Sequence, residues 1–172
     1  MPSSDPNRAA PDAATQAQFA VIDAAITRLK DLPGALLPIL HAIQDQLGYV
    51  PPAATERLAK SLNISLADVH GVITFYHDFR SKPPGRHVLK LCRAEACQSM
   101  GCERLEHRLR EHHGVGMKET SADGNLTVEP VYCLGNCALS PALLLDGNLQ
   151  GRVTEARLDE LLASTKTAGG RA

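Results

Sequence analysis

The sequence predicts an α+β protein: a bundle of helices at the N-terminus, followed by an α/β domain. Three observations predict it. Apolar residues recur every three to four positions from Gln16 to about His77, the spacing of one helix face. After the turn-rich stretch Arg80-Ser-Lys-Pro-Pro-Gly-Arg86, the pattern changes to short apolar runs separated by glycine-containing turns. Four of the five cysteines then fall in two short loops of this second half, Cys92 with Cys97 and Cys133 with Cys137.

The predicted organisation is a disordered tail over 1–15, a helical bundle over 16–80, a linker over 81–86, an α/β domain over 87–163 and a second disordered tail over 164–172. A chain of 172 residues has room for two small domains. The first tail carries Pro2, Pro6 and Pro11 and almost nothing to bury. Gln16 to Lys30 reads as a helix with Phe19, Ile22, Ile26 and Leu29 on one face. A second follows from Ala35 to Leu47, striped by Leu36, Ile39 or Leu40, Ile43 and Leu47, and Gly48 stands where a C-cap glycine belongs. Pro38 falls in its first turn, where a missing N–H costs little. His41 and Gln44 are expected at the surface. Pro51-Pro52 opens a third helix that Asn63 closes after Leu62. Ser65-Leu-Ala-Asp68 reads as a capping box with Asp in place of Glu, opening a fourth helix to about His77. That helix should bury Val69, Val72, Ile73 and Tyr76.

His87 to Leu91 reads as a buried strand that delivers Cys92 at its end. Gln98 to His113 reads as one helix with Cys102, Leu105 and Leu109 on a face, ended by Gly114 and Gly116. Asp123-Gly124 signals a hairpin whose return strand holds Leu126 and Val128. Val131-Tyr132 leads into the second cysteine loop. Ala142 to Leu145 and Leu149 to Val153 flank an Asp146-Gly147 turn. Thr154 caps a last helix bearing Leu158, Leu161 and Leu162.

Composition bounds the function. A formal charge of −1 leaves no electrostatic footprint for nucleic acid. No apolar stretch approaches the ~20 residues of a membrane span, and Met1–Ala14 hold no apolar run that could serve as a signal peptide. An odd cysteine count argues for a reducing compartment. The expectation is a cytoplasmic protein with no direct membrane contact.

The cysteine spacing is C-x4-C, a long gap, then C-x3-C. Two such loops brought together make a four-thiolate cage, which holds either zinc or an iron–sulfur cluster. Wider loops suit a 2Fe–2S core, in which each of two irons takes two thiolates, while zinc favours tighter pairs. Buried, inert thiols are the third possibility. Gly135 would allow close backbone approach, and Asn136 would tolerate a tight loop's dihedrals. Arg93 could lend positive charge beside Cys92. Glu95 has no evident partner. His112 and His113 are adjacent, so their rings diverge, and they read as a surface helix end. No glycine-rich nucleotide fingerprint follows a strand.

With Gly71-Val-Ile-Thr-Phe-Tyr76 and Pro83-Pro-Gly-Arg-His87, the cysteine pattern resembles the thioredoxin-like 2Fe–2S subunit of NADH-dehydrogenase modules. Such modules occur in complex I, NAD-dependent formate dehydrogenases and NAD-linked hydrogenases. The resemblance spans roughly Leu36 to Leu162. It implies a thioredoxin-like α/β domain in which Cys92, Cys97, Cys133 and Cys137 ligate one 2Fe–2S cluster and Cys102 does not. It implies an electron-transfer subunit with no catalytic residues of its own, beside an FMN- and NADH-binding subunit and a further iron–sulfur or molybdenum-containing subunit. Cys-Arg-Ala-Glu-Ala-Cys-Gln-Ser-Met-Gly over 92–101 looks most like the gamma subunit of formate dehydrogenase. Pro141 could be the cis proline common to thioredoxin folds, but a trans bond is expected, since few X–Pro bonds in folded proteins are cis. An alternative of another class is an iron–sulfur sensor using the third and fourth helices as a DNA-binding helix-turn-helix. The fourth helix speaks against it, offering no Lys or Arg before Arg80.

Overall fold

The computed structural model describes residues 12–167, which divide into two compact units at Pro83/Pro84. The first holds four helices: α1 (Ala13–Leu29), α2 (Leu36–Leu47), α3 (Pro52–Leu62) and α4 (Leu66–Phe75). The caps explain their bounds. The Asp12 carboxylate accepts the Thr15 N–H at 2.8 Å, so α1 begins at Ala13, inside the stretch expected to be a tail. The rest of that tail, residues 1–11, lies outside the described residues. Gly48 ends α2 at φ +80, and Asn63 ends α3 at φ +52. Ser65 and Asp68 form the expected capping box: Ser65 Oγ accepts the Asp68 N–H at 3.0 Å, and the Asp68 carboxylate accepts the Ser65 N–H at 3.1 Å.

The helices close on Ile22, Ile26, Ile39, Leu40, Ile43, Leu58 and Val69. Two expectations fail here. Because α4 ends at Phe75 with Tyr76 extended, Tyr76 is 44% exposed and Phe79 takes the core place beyond it. Gln44 is buried, not on the surface. Its amide N donates to the Asp78 carbonyl and its amide O accepts the Arg80 N–H, both at 2.7 Å. A non-helical segment leaves backbone groups needing partners, and one carboxamide supplies a donor and an acceptor together. His41 is exposed, its ring 4.9 Å from that of Phe79.

The second unit contains β1 (His87–Cys92), α5 (Glu95–Ser99), α6 (Cys102–His113), β2 (Glu119–Thr120), β3 (Leu126–Val131), β4 (Leu143–Leu145), β5 (Asn148–Gln150) and α7 (Glu155–Thr167). Among the described residues, its five strands form one sheet in the order β2-β3-β1-β4-β5. Strands β1 and β3 run parallel, and the other neighbours are antiparallel. Leu89, Leu91, Val128, Leu143 and Leu145 enter one core with Leu105 and Leu109 of α6 and Leu158 and Leu162 of α7.

The single helix expected over Gln98–His113 is two. Gly101 at φ +89 breaks it, a conformation an L side chain adopts only under strain. The disordered tail expected from residue 164 is helical through Thr167: α7 continues to that residue, with Thr165 buried and its hydroxyl donating to the Leu162 carbonyl at 2.8 Å. Residues 168–172 lie outside the described residues. The Ser140–Pro141 bond is cis rather than trans, since the small trans preference of an X–Pro amide leaves the isomer to its surroundings. Among the described residues, no helix is long and apolar enough to cross a membrane.

Candidate metal centre

Parallel pairing explains why the two cysteine loops start at one edge of the sheet. Cys92 ends β1 opposite Val131, which ends β3 two residues before Cys133. Parallel neighbours deliver their carboxyl ends to one edge of a sheet, so both cysteine loops leave from the same place. Further bonds pin the junction: Cys92 N–H donates to Ala142 O at 3.1 Å, and Arg93 N–H to Val131 O at 2.8 Å.

The thiols stand as two pairs of unlike exposure. Cys92 and Cys97 are 3% and 1% exposed, the latter on α5, whereas Cys133 and Cys137 are exposed. The Cys133 and Cys137 sulfurs lie 3.7 Å apart. The Cys97 thiol donates to Ser140 Oγ at 3.6 Å, and that hydroxyl donates to the Cys137 carbonyl at 2.7 Å. Ser140 thus ties the first pair to the second loop. Sequence reading assigned it no role, and its one signal was its place between Cys137 and Pro141.

Backbone amides surround the sulfurs. Burial alone would raise the Cys92 thiol, yet the Ala94 amide, the Cys97 thiol and the Cys133 and Leu134 amides bring it below its ordinary value. Gly135 N–H donates to Cys133 Sγ at 3.4 Å. The left-handed turn that aims these amides falls on Cys133 (φ +86) and Gly135 (φ +74). It does not fall on Asn136, whose φ is −110. Cys137 is held above its ordinary value, first by its hydrogen bond with Cys133 and then by that thiol's charge.

Cys102 packs beside Cys92 and Cys97 in one buried cluster. It opens α6, has no exposed surface, and burial pushes its thiol up. His112 and His113 diverge as expected, but only His112 is exposed. His113 Nε2 lies 2.7 Å from Asp159 Oδ1 on α7, and Arg108 bonds both oxygens of that carboxylate. Glu95 sits exposed in the first turn of α5.

The residues present fit a dinuclear cluster. Four thiols come as two pairs, each iron of a 2Fe–2S core takes two thiolates, and amides already point at the sulfurs. The chain belongs to a family of iron–sulfur electron carriers: residues 22–166 match the thioredoxin-like [2Fe-2S] ferredoxins. The cofactor of that family is one 2Fe–2S cluster, which sets aside zinc. The chain is 36% identical over 133 residues to a subunit of the NADH-quinone oxidoreductase of Pseudomonas aeruginosa, covering 77% of this chain and 80% of that one. It is 29% identical over 138 residues to a subunit, HndA, of the NADP-reducing hydrogenase of Solidesulfovibrio fructosivorans, covering 80% and 81%. Among solved structures, the air-oxidized NAD+-reducing [NiFe]-hydrogenase is similar with a TM-score of 0.66 and 25% identity over 83% of this chain. The match spans only 24% of that hydrogenase chain.

Proposed function

We propose that this chain is the 2Fe–2S electron-transfer subunit of an NAD-linked oxidoreductase, with Cys92, Cys97, Cys133 and Cys137 as its four ligands. The observation that carries this reading is the parallel β1–β3 pair, which brings both cysteine loops to one sheet edge. The cluster, when bound, takes up and releases one electron at a time. The chain's residues do the rest. Cys92 and Cys97 hold one side away from water, the Ala94, Leu134 and Gly135 amides offset thiolate charge, and exposed Cys133 and Cys137 mark the side a redox partner approaches.

Within that class we infer a formate dehydrogenase, oxidising formate to carbon dioxide with NAD as acceptor. The support is the resemblance over Cys92–Gly101. The names of the relatives favour NADH-quinone oxidoreductase or an NAD(P)-linked hydrogenase as the second reading. In either case the partners inferred are an FMN- and NADH-binding subunit and a further iron–sulfur or molybdenum-containing subunit. The DNA-binding alternative gains no support from α4, which presents Leu66 and Phe75 to solvent.

Protein purified without air should hold two irons and two sulfides per chain, the content of one 2Fe–2S cluster. Cys92→Ser should disturb the visible spectrum, while Cys102→Ser leaves it intact. The reverse result would overturn the ligand set. NADH should leave the isolated chain oxidised and reduce it only when the flavin subunit is added. Rapid reduction of the isolated chain by NADH would sink the relay role. Formate-dependent NAD reduction by the whole complex decides between the two readings.

A further inference from the structure

Arg93 lies directly beyond Cys92, where β1 ends. Its backbone is fixed from two sides: its N–H donates to the Val131 carbonyl, and its own carbonyl accepts Gln98 Nε2, both at 2.8 Å. Its guanidinium is held from α6, with Nη2 3.3 Å from Glu106 Oε2. Neither side chain is free in solvent, at 31% and 20% exposure. The Arg93 Nε–H is buried with no hydrogen-bond partner. An arginine cannot shed its charge, and a buried donor left unpaired is expensive to keep.

We propose that Arg93 tunes the potential of the cluster held by Cys92, Cys97, Cys133 and Cys137: its guanidinium stabilises the added electron, its Nε–H, which no atom of the chain accepts, would donate to a sulfur of the bound cluster, and Glu106 clamps it in place. The proposal rests on the four-cysteine reading above. Four thiolates and two sulfides outweigh two irons in charge, so an arriving electron enters a group that is already negative. A cation at a fixed place offsets that repulsion, and a hydrogen bond to sulfur draws off electron density. Both raise the reduction potential. Glu106 opposes the first effect slightly while keeping the guanidinium from swinging into water.

The test is a dye-mediated redox titration of the full-length chain, purified without air and followed by visible absorbance and electron paramagnetic resonance. Arg93→Gln removes charge and the Nε donor together. It should lower the equilibrium constant for reduction about tenfold, a fall of about 59 mV for a one-electron couple. Arg93→Lys, which keeps the charge but not the donor, should fall by less. Glu106→Gln, whose amide oxygen can still accept from the guanidinium while the opposing charge is removed, should move the potential upward. An Arg93→Gln protein with two irons, two sulfides and the wild-type potential overturns the proposal. If Arg93→Gln fails to take up the cluster, the decision passes to Arg93→Lys and Glu106→Gln, and wild-type potentials in both overturn it. A wild-type chain lacking two irons and two sulfides would instead defeat the four-cysteine reading, and this inference with it.

Discussion

Asp159 shows how a single carboxylate joins two helices. Arg108 donates to both its oxygens, at 2.6 and 3.2 Å, and His113 approaches at 2.7 Å. The Arg108 hydrogen bonds, with His113 second, hold its carboxyl down at about 2. An unfolded Asp titrates near ~3.9, so the folded state binds its proton less readily. The stabilisation is therefore complete above pH ~4 and is lost as pH falls toward ~2. At about 1.4 kcal/mol per pKa unit the shift would be worth over 2 kcal/mol, but with a third of the side chain in water about 1 kcal/mol is expected. Asp159→Asn should lower urea stability by that amount at pH 7. Its deficit against wild type should shrink as the pH is stepped from 5 to 3. A deficit unchanged by pH would mean that packing, not charge, holds α6 to α7.

At the scale of elements, the break between α5 and α6 decides where two of the cysteines go. Cys97 and Cys102 lie on separate helices because Gly101 turns the chain at φ +89. Alanine there would place a Cβ 2.6 Å from the Arg104 guanidinium. That contact can be relieved, because the tip of an exposed arginine moves. The backbone strain cannot, and left-handed geometry costs a residue with a Cβ about 1–2 kcal/mol. Gly101→Ala should lower the urea midpoint accordingly, and its cluster should be lost on heating sooner than in wild type. A variant as stable as wild type would show that the break is set by α6 packing rather than by glycine. Thr154 does comparable work at the start of α7, where its Oγ1 accepts the Arg157 N–H at 3.2 Å.

For the whole molecule, the helical unit has its own core, from Ile22 through Phe79, and supplies none of the sulfur ligands proposed. The second unit has separate cores under its sheet and around Cys92, Cys97 and Cys102. Each unit therefore has a core of its own. A chain beginning at Pro84 is expected to keep the visible spectrum of the full chain. If the helical unit serves to dock the flavin subunit, that shortened chain should bind it far more weakly in a pull-down or by calorimetry. Binding undiminished by the truncation would remove the docking role from the helices.

The sequence by itself determined what depends on neighbours in the chain. The capping box at Ser65 and Asp68, the glycine stop at Gly48 and the amphipathic stripe through Ile22 and Ile26 are local patterns, legible because caps and helix faces need only a few adjacent residues. The paired cysteines were legible for the same reason, as spacing within each loop. Tertiary structure decided what depends on distant partners. The buried place of Gln44 follows from backbone groups at Asp78 and Arg80, and the exposure of Tyr76 from Phe79 filling the core instead. The bridge through Ser140, the cis bond at Pro141 and the ties of His113 to Asp159 and Arg93 to Glu106 also join residues far apart in the chain, or answer to them. Spacing could say that two cysteine loops exist. Only the parallel pairing of β1 with β3 brings them to one edge, because register between strands is set by the shared core and not by either strand alone.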